Sequence, residues 1–166
     1  DGGRYDGEWQ GGLEHGSGTM TWKNGDWYTG QYNMGKRHGH GTHTFADGGR
    51  YEGEWQDGFM HGSGTMTYQD GGEYIGEYMM HNRHGHGIHT FADGRRYEGE
   101  WQDDVIHGSG TTTWENGGRY TGHHKMGKRH GHGIHTCADG RRYEGEWQDG
   151  FMHGSGTMTG ENGAKY

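Results

Sequence analysis

The sequence repeats with a period of 23 residues, without an insertion or a deletion. The period is marked by Tyr5, Tyr28, Tyr51, Tyr74, Tyr97, Tyr120, Tyr143 and Tyr166. With each of these tyrosines counted as position 0, Gly stands at +2, His-Gly at +10 and +11, Gly at +13, and Asp-Gly or Asn-Gly at +19 and +20. A fixed period of this length indicates a repeat fold in which neighbouring units stabilise one another.

The repeats alternate between two classes, so a second period of 46 residues overlies the first. The repeats that begin at 5, 51, 97 and 143 follow the pattern Y-E-G-E-W…H-G-S-G, with Asp6 for Glu in the first, and we call them acidic repeats. Those that begin at 28, 74 and 120 follow the pattern Y-T-G-Q-Y…K-R-H-G-H-G with a few substitutions, and we call them basic repeats. The alternation indicates that the duplicated unit was a pair.

Composition excludes both a thick core and disorder. Only 25% of the 166 residues are hydrophobic and 40 are Gly, which is too little apolar volume for two packed layers. A disordered chain, however, does not keep 13% aromatic residues at fixed positions. Alternation of Tyr, Gly and Trp at 0, +2 and +4 with polar residues is typical of a strand, and Asp-Gly or Asn-Gly indicates a turn. Each repeat is therefore predicted to be a β-hairpin in an antiparallel meander.

The same positions predict the pairing of the two strands. A turn between +6 and +9, centred between +7 and +8, would place +4 opposite +11, +2 opposite +13, and 0 opposite +15. All of these positions lie on one face, together with the aromatic residue found at +17 in most repeats. Large rings can lie over strand glycines, so the glycines are interpreted as room for the aromatic side chains.

The stretch YEGEWQDGFMHGSGTMTYQDGG, which begins at Tyr51, closely resembles the MORN repeat (membrane occupation and recognition nexus), with its pattern Y-x-G-x-W…H-G-x-G…D-G. The resemblance covers residues 1–166, which are expected to form one array cut from a longer protein, with an eighth repeat beginning at Tyr166. It implies an all-β fold: an elongated, single-layer antiparallel β-meander solenoid of hairpins with an aromatic-lined groove. It also implies scaffolding, dimerisation and binding of extended partner segments, and phosphoinositide binding is proposed for some members.

Several positions depart from the family pattern, and one phrase suggests a subfamily. His124 replaces the aromatic residue at +4, Cys137 and Gly160 replace the one at +17, and His81 and Asp104 replace the turn Gly at +7. The phrase GKRHGHG, found twice, is similar to arrays of ciliary radial-spoke heads and sperm proteins. This resemblance implies a cytoplasmic protein associated with the cytoskeleton, a cilium or a membrane.

No sequence signature indicates an enzyme. Nucleotide-binding, serine-hydrolase and zinc-protease phrases are missing from the sequence. Cys137 stands where other repeats have a packed ring, so it is interpreted as a small buried hydrophobic residue. No cofactor is expected. MORN arrays are often attached to a lipid kinase or a SET-type methyltransferase, and a catalytic domain of that kind would lie outside these residues.

The sixteen histidines suggest metal binding only at first sight. In each H-x-H-x-x-H phrase, +10 and +12 are predicted on the polar face and +15 on the aromatic face, so one ion cannot collect all three. No dedicated metal site is therefore predicted. His123 and His132 are the pair that merits inspection, and adventitious metal binding remains the alternative.

Charge separates the functional hypotheses. A net charge of −8 argues against nucleic acid, which requires a strongly basic surface. The leading hypothesis is a non-catalytic scaffold that binds an extended or helical protein segment, or a second copy of itself, in an aromatic groove. The predicted contacts are Tyr28, Tyr32, Tyr51, Trp55, Tyr74, Tyr78, Tyr97, Trp101, Tyr143 and Trp147.

Two alternatives remain open at this point. The first is a phosphoinositide-binding or membrane-binding module of a larger enzyme or junction protein, because basic side chains near a bilayer attract anionic headgroups. Its predicted contacts are Lys36, Arg37, Arg83, Lys128 and Arg129. The second is an idealised repeat without a partner, suggested by the near identity of the copies.

Overall fold

A computed structural model describes residues 2–166. Within this range the chain forms fourteen strands and no helix, and the strands follow one another in sequence order in one open antiparallel sheet. The predicted all-β meander of hairpins is confirmed. The strands are β1 (Arg4–Gln10), β2 (Leu13–Thr21), β3 (Trp27–Asn33), β4 (Lys36–Thr44), β5 (Arg50–Gln56), β6 (Phe59–Thr67), β7 (Glu73–Met79), β8 (Asn82–Thr90), β9 (Arg96–Gln102), β10 (Val105–Thr113), β11 (Arg119–Lys125), β12 (Lys128–Thr136), β13 (Arg142–Gln148) and β14 (Phe151–Thr159).

Contacts divide the chain into two compact units, Asp1–Arg83 and His84–Tyr166. The first unit holds β1 to β7, and the second holds β9 to β14 with most of β8. The same local features recur in both units. Among residues 2–166, no helix has the length and apolar character needed to cross a membrane.

Two kinds of turn connect the strands. The short turn inside each repeat has two residues with positive φ, as at Asp57 and Gly58 (52° and 93°), which is the geometry of a type I′ hairpin. His81 and Asp104 keep this turn with φ of 75° and 68°, so their departure from Gly does not change the backbone. The longer turn between repeats is closed by backbone bonds, such as the one from the Gly48 N–H to the carbonyl of Phe45 (2.9 Å).

The predicted register is correct next to the glycines and wrong next to the short turn. Tyr51 pairs with Met66 and Gly53 with Gly64, as expected for 0 with +15 and +2 with +13. Trp55 at +4, however, pairs with Met60 at +9 rather than with the Gly at +11. The reason is a bulge, in which three residues at +10 to +12 lie opposite a single residue at +3.

The bulge explains why Gly recurs at +11 in every repeat. Gly at +11 has φ near +60° throughout, for example 62° at Gly16, a conformation that side chains with a Cβ rarely adopt. The side chain at +3 stabilises the bulge in acidic repeats, because the Glu8 carboxylate accepts a hydrogen bond from the Ser17 N–H (2.9 Å). Glu100 accepts the equivalent bond from Ser109 (2.6 Å).

The glycines at +2 and +13 make room for the tyrosine at position 0. Tyr51 is fully buried, and its hydroxyl donates to the carbonyl of Glu54 (3.0 Å). A Cβ added at Gly53 would lie 2.5 Å from the Cα of Gly64 and 2.6 Å from the Tyr51 hydroxyl. The expectation that rings lie over glycines is therefore confirmed.

Rings at 0 and +4 form a continuous edge-to-face series within each unit, which we call the ring ladder. In the first unit, Tyr28 contacts Tyr32 of its own repeat at 5.3 Å between ring centres and Trp55 of the next repeat at 5.2 Å. In the second unit, Tyr120 contacts Trp147 in the same way at 5.3 Å. Such T-shaped pairs are favourable beyond their buried area, so each repeat is stabilised by its neighbour.

Candidate partner-binding site

The rings predicted to bind a partner lie inside the ring ladder. The buried rings are Tyr28, Tyr32, Tyr51, Trp55, Tyr74, Tyr78, Tyr97, Trp101 and Trp147. Tyr143 is half-buried. The partly open aromatic groove is not confirmed: within each unit the rings of adjacent repeats cover one another, and these side chains are buried. Burial also raises the pKa of Tyr28 to about 12, so its phenol stays neutral.

Side chains at +9, +15 and +17 add a further cover to the aromatic face, which is the face of the sheet that carries the ring ladder. In basic repeats an Arg at +9 is part of this cover. The Arg37 guanidinium lies 4.2 Å from the ring centre of Trp55 and 5.8 Å from that of Tyr28. It donates to the carbonyl of Gly58 (2.8 Å), and burial lowers the pKa of Arg37. Arg37 therefore joins its own repeat to the next.

The other basic side chains predicted to bind lipid fall into two groups. Arg129 repeats the arrangement of Arg37 in the second unit, 4.2 Å from the ring centre of Trp147, and Arg83 lies 5.7 Å from that of Tyr74. Lys36 and Lys128 are exposed beside the short turns. The structure thus places three arginines against rings and two lysines in solvent.

His43 completes the cluster around Arg37. The ring of His43 is 7% exposed and stacks on Trp22 with 5.4 Å between ring centres. Its Nδ1 accepts from the Arg37 guanidinium (2.9 Å), which can only donate, so the ring proton lies on Nε2, 3.6 Å from the Asp26 carboxylate. Burial and, secondly, the charge of Arg37 lower the pKa of His43. The cluster requires a neutral imidazole.

Replacing Arg129 with Lys is expected to lower the free energy of unfolding by about 1–2 kcal/mol. The Arg129 guanidinium stacks on Trp147 and donates to the carbonyl of Gly150 (2.9 Å), and an ammonium group cannot keep both contacts. Urea denaturation measures the change, and Lys128→Gln, at the exposed neighbouring position, is the control. Equal effects of the two substitutions would show that Arg129 is a surface charge.

The polar face is the opposite face of the sheet, carrying positions +1, +3, +12 and +14. In the second unit it forms an open concavity of about 880 Å³ over β8 to β12. The concavity is lined by His86, Arg96, Glu98, Gly99, Glu100, Ser109, Gly110, Thr111, Thr113, Arg119, Thr121, Gly122, His123, His132 and Ile134. Most of these side chains are hydrogen-bonding groups, so the concavity suits a polar backbone or charged side chains.

Short-range bonds organise the floor of this concavity. Thr111 and Thr121, on adjacent strands, are joined through their hydroxyls (3.0 Å). Arg96 pairs with Glu98 (2.9 Å) on the same strand. A smaller concavity of about 370 Å³ lies on the same face of the first unit, around Thr19 and Thr29. The polar face is thus indented in both units.

The histidines do not assemble into a cluster. His132 is exposed on the polar face, whereas His135 packs 6.1 Å from the ring centre of Trp147 on the aromatic face. His123 of β11 lies opposite the bulge in β12. His132 of β12 pairs with Glu146 of the adjacent strand β13. Among residues 2–166 no group of three or more His, Cys, Asp or Glu side chains could hold a metal ion.

The family model of the MORN repeat matches residues 5–27, 28–50, 51–73, 74–95, 97–119, 120–141 and 143–165. The chain belongs to the MORN repeat family. The matched segments begin at the tyrosines that define the period. No curated protein sequence matches this MORN array.

Two solved structures are similar to the MORN array at low sequence identity. The TCP domain of SAS-4 (dCPAP) from Drosophila melanogaster, in complex with a proline-rich motif of Ana2 (dSTIL), is 14% identical, with 91% of this chain and 82% of that chain covered and a TM-score of 0.55. The G-box domain of the microcephaly protein CPAP is 15% identical, with 99% and 97% covered and a TM-score of 0.49. The first likeness shows a common fold.

Sequence reasoning missed the concavity of the MORN array. It treated the polar face as a solvated surface and searched the aromatic face for a groove. One signal was available: β11 carries Arg119, Thr121 and His123 where the acidic repeats carry Arg and then two acidic residues. A strand that lacks the carboxylates of its neighbours is a place where the polar surface of the array changes, and such a change can indicate a binding site.

Proposed function

We propose that this MORN array is a non-catalytic protein-interaction module that binds an extended segment of a partner protein in the polar-face concavity of its second unit. The observation that carries the proposal is the contrast between the two faces. The rings of the aromatic face are buried against one another, whereas the polar face leaves about 880 Å³ open and lined by donors and acceptors. An extended segment has unpaired backbone groups that such side chains can bind.

The proposal is supported by the ligand that is bound to a protein of the same fold. The TCP domain of SAS-4 was solved in complex with a proline-rich motif. Proline-rich segments are extended in the free state, so they lose little conformational entropy on binding. The ring ladder would then act indirectly, because it holds the strands that shape the concavity.

A second candidate function is attachment to an anionic membrane through the short turns of the basic repeats. The observation that favours it is the exposure of Met34 (56%) and Met126 (69%), which stand two residues before Lys36 and Lys128. Apolar tips flanked by lysines suit an interface of acyl chains and headgroups. The guanidinium groups of Arg37 and Arg129 would contribute little to this attachment, since they lie against rings.

The experiment is a selection of peptides from a random display library against the 166-residue chain. We expect Thr121→Trp, which fills the concavity, to weaken binding of the selected peptides by about tenfold or more in fluorescence anisotropy. A large ring is tolerated on this face, as Trp27 in β3 shows. The control is the double variant Lys36→Gln, Lys128→Gln, which leaves the concavity intact.

Peptides that bind Thr121→Trp as tightly as the unchanged chain would contradict the proposal. The same variants are mixed with vesicles of phosphatidylcholine containing phosphatidylserine or phosphoinositide. Tight vesicle binding that the double lysine variant abolishes, without any peptide binding sensitive to Thr121→Trp, would establish the membrane function in its place.

A further inference from the structure

Trp27 is the one tryptophan among residues 2–166 that packs on no other ring. The chain has seven tryptophans, and six of them contact a tyrosine or histidine ring, as Trp9 does with Tyr5 (5.1 Å). Trp27 instead lies on the polar face of β3, where it is 43% exposed. Packing within the sheet therefore does not account for this ring.

The repeat position of Trp27 is otherwise a position for charge. Trp27 stands directly before the tyrosine that begins its repeat. The other six repeats carry a charged residue there: Arg4, Arg50, Glu73, Arg96, Arg119 and Arg142. An exposed indole in place of a charge changes what this part of the polar face can bind.

Uncharged side chains surround Trp27 on β2, β3 and β4. Trp27 pairs with Thr21 on one side and with Thr44 on the other. The next row along the strands is Thr19, Thr29 and Thr42, and Ser17 pairs with Gln31 in the row after that. We call Trp27, these five threonines, Ser17 and Gln31 the neutral field.

Charged side chains border the neutral field on both sides. The row of Trp27 continues to Arg4 on β1 and to Arg50 on β5. The row of Thr29 continues to Asp6 and Glu52, and Glu52 pairs with Arg50 (2.6 Å). The field is about 9.6 Å wide from β2 to β4 and about 14 Å long from Trp27 to Gln31. It is thus a small uncharged area in a charged surface.

The neutral field offers one aromatic face and many hydroxyl groups. The hydroxyls of Thr19 and Thr29 are joined (3.0 Å), and these residues line the concavity of about 370 Å³ together with Ser17 and Gln31. Hydroxyl and amide groups both donate and accept hydrogen bonds, and the face of an indole is apolar and rich in electron density. A ligand that matches this field has an apolar face and hydroxyls at its edge.

A neutral sugar ring has both properties. The C–H groups on one face of the ring can stack on an indole, and the hydroxyls around the ring donate and accept like those of threonine. An apolar peptide side chain is matched less well, because hot-spot side chains fill desolvated pockets whereas Trp27 has a hydroxyl residue on each side. A polyanion requires a basic surface, which the field lacks.

We propose that the neutral field of the first unit binds a neutral oligosaccharide. One sugar ring stacks on Trp27, and the hydroxyls of that ring and its neighbours bond to the threonines and to Gln31. Asp6 and Glu52, at the borders, can accept from further sugar hydroxyls. This site is independent of the proposed function, since it lies in the other unit and takes another class of ligand.

The test titrates the 166-residue chain with four neutral sugars by isothermal calorimetry. They are cellotetraose, maltotetraose, mannotetraose and the tetramer of N-acetylglucosamine, and a heparin tetrasaccharide is the anionic comparison. We expect at least one neutral sugar to bind with a Kd below about 1 mM, equally at low salt and in about 1 M salt. Failure of all four to bind up to about 10 mM would overturn the proposal.

Variants of Trp27 locate the site. Trp27→Ala and Trp27→Arg are each expected to weaken the sugar by about tenfold or more, because both remove the stacking face. The fold tolerates Arg at this position, as Arg119 shows in β11. Arg119→Ala is the matched control at the same repeat position, and it should leave the affinity unchanged.

Urea denaturation of the same variants checks that Trp27 is free for a ligand. We expect the unfolding midpoint of Trp27→Arg to equal that of the unchanged chain, because the indole contacts no other ring. A large fall in the midpoint would show that Trp27 is a packing residue, and the proposal would be wrong.

The remaining outcomes identify another ligand or another site. Preference for the heparin tetrasaccharide, lost in about 1 M salt, would show an anion site instead. Sugar binding that Thr121→Trp abolishes and Trp27→Ala preserves would move the site to the second unit. Library-selected peptides that require Trp27, without any sugar binding, would show that the ring serves a protein partner. Each of these results would overturn the proposal.

Discussion

Replacing Gly99 with Val is expected to lower the free energy of unfolding by about 3 kcal/mol or more. A Cβ at Gly99 would lie 2.5 Å from the Cα of Gly110, from the carbonyl oxygen of Ser109 and from the hydroxyl of Tyr97. Two of these three atoms belong to the backbone of the adjacent strand and cannot rotate away. The strand pair must therefore separate, and Tyr97, which is fully buried, must leave its place over the glycines.

Urea or thermal denaturation followed by tryptophan fluorescence measures this loss, and two variants make it interpretable. Glu98→Val places the same side chain on the polar face of the same strand, where Ile75 shows that a branched apolar residue is tolerated. We expect a change within about 0.5 kcal/mol there, because the Arg96–Glu98 pair is an exposed ion pair. Gly99→Ala is the milder variant should Gly99→Val fail to fold. Equal losses at 98 and 99 would mean that the two faces are assigned wrongly.

Much of the fold follows from the sequence because its strongest signals are local. Tyr at 0 and Gly at +2 and +13 recur together, and a ring that covers two glycines requires their strands to pair at those residues. The structure confirms this pairing at Tyr51, Gly53 and Gly64. Asp-Gly pairs predict turns for an equally local reason, since Gly adopts positive φ without strain.

The error at Trp55 shows where this reasoning stops. Counting outward from a turn assumes that residues pair one to one, and a bulge breaks that assumption without changing the repeat length. The bulge has a sequence signal, the Gly at +11, but a Gly opposite a predicted ring position also fits ring packing, so the sequence alone does not distinguish the two roles. Its φ, 58° at Gly62, shows that it serves the backbone instead.

The packing of Arg37 against rings was not predicted from the sequence, for a different reason. A charge adjacent to a turn is normally solvated, so Arg37 was counted with Lys36 as a surface cation. An indirect signal was present: all three basic repeats have Arg at +9 and His at +15, as in Arg37 with His43, whereas no acidic repeat has either residue. When two positions change together between repeat classes, their side chains can be in contact. The hydrogen bond between Arg37 and His43 shows such a contact between +9 and +15 in one repeat.

Burial of an imidazole in the ring ladder leads to the last expected result, a loss of stability in acid. His124 stands at +4, where sister repeats have Tyr32 and Tyr78, and it is 6% exposed. Its ring packs edge to face on Tyr97 (5.4 Å between ring centres) and Tyr120 (5.1 Å). Burial and, secondly, the charge of Arg129 lower the pKa of His124 from 6.5 to about 4.

The sign of the pH dependence follows from this lowered pKa. The native state favours neutral His124. Above the unfolded pKa of 6.5 this residue is neutral in both states, so it does not change the free energy of unfolding there. As the pH falls below that value, the unfolded chain binds a proton that the native state excludes. The loss grows until the folded pKa of about 4 and reaches roughly 3 kcal/mol in full, of which about 2 kcal/mol is present at pH 5. His43, His81 and His135, whose pKa values are also lowered by burial, act in the same direction.

His124→Tyr, which restores the ring of the sister repeats, is therefore expected to narrow the difference in unfolding free energy between pH 7.5 and pH 5 by about 2 kcal/mol. Urea denaturation at the two pH values measures this difference. His123→Tyr, on the exposed polar face of the same strand, is the control for introducing a tyrosine into β11. If the control narrows the difference as much as His124→Tyr does, burial in the ring ladder is not the cause of the acid sensitivity. If neither variant changes the difference between the two pH values, His124 is protonated inside the folded protein without loss of stability. The ring ladder would then tolerate a charge between two buried tyrosines, and the expectation drawn from its packing would be wrong.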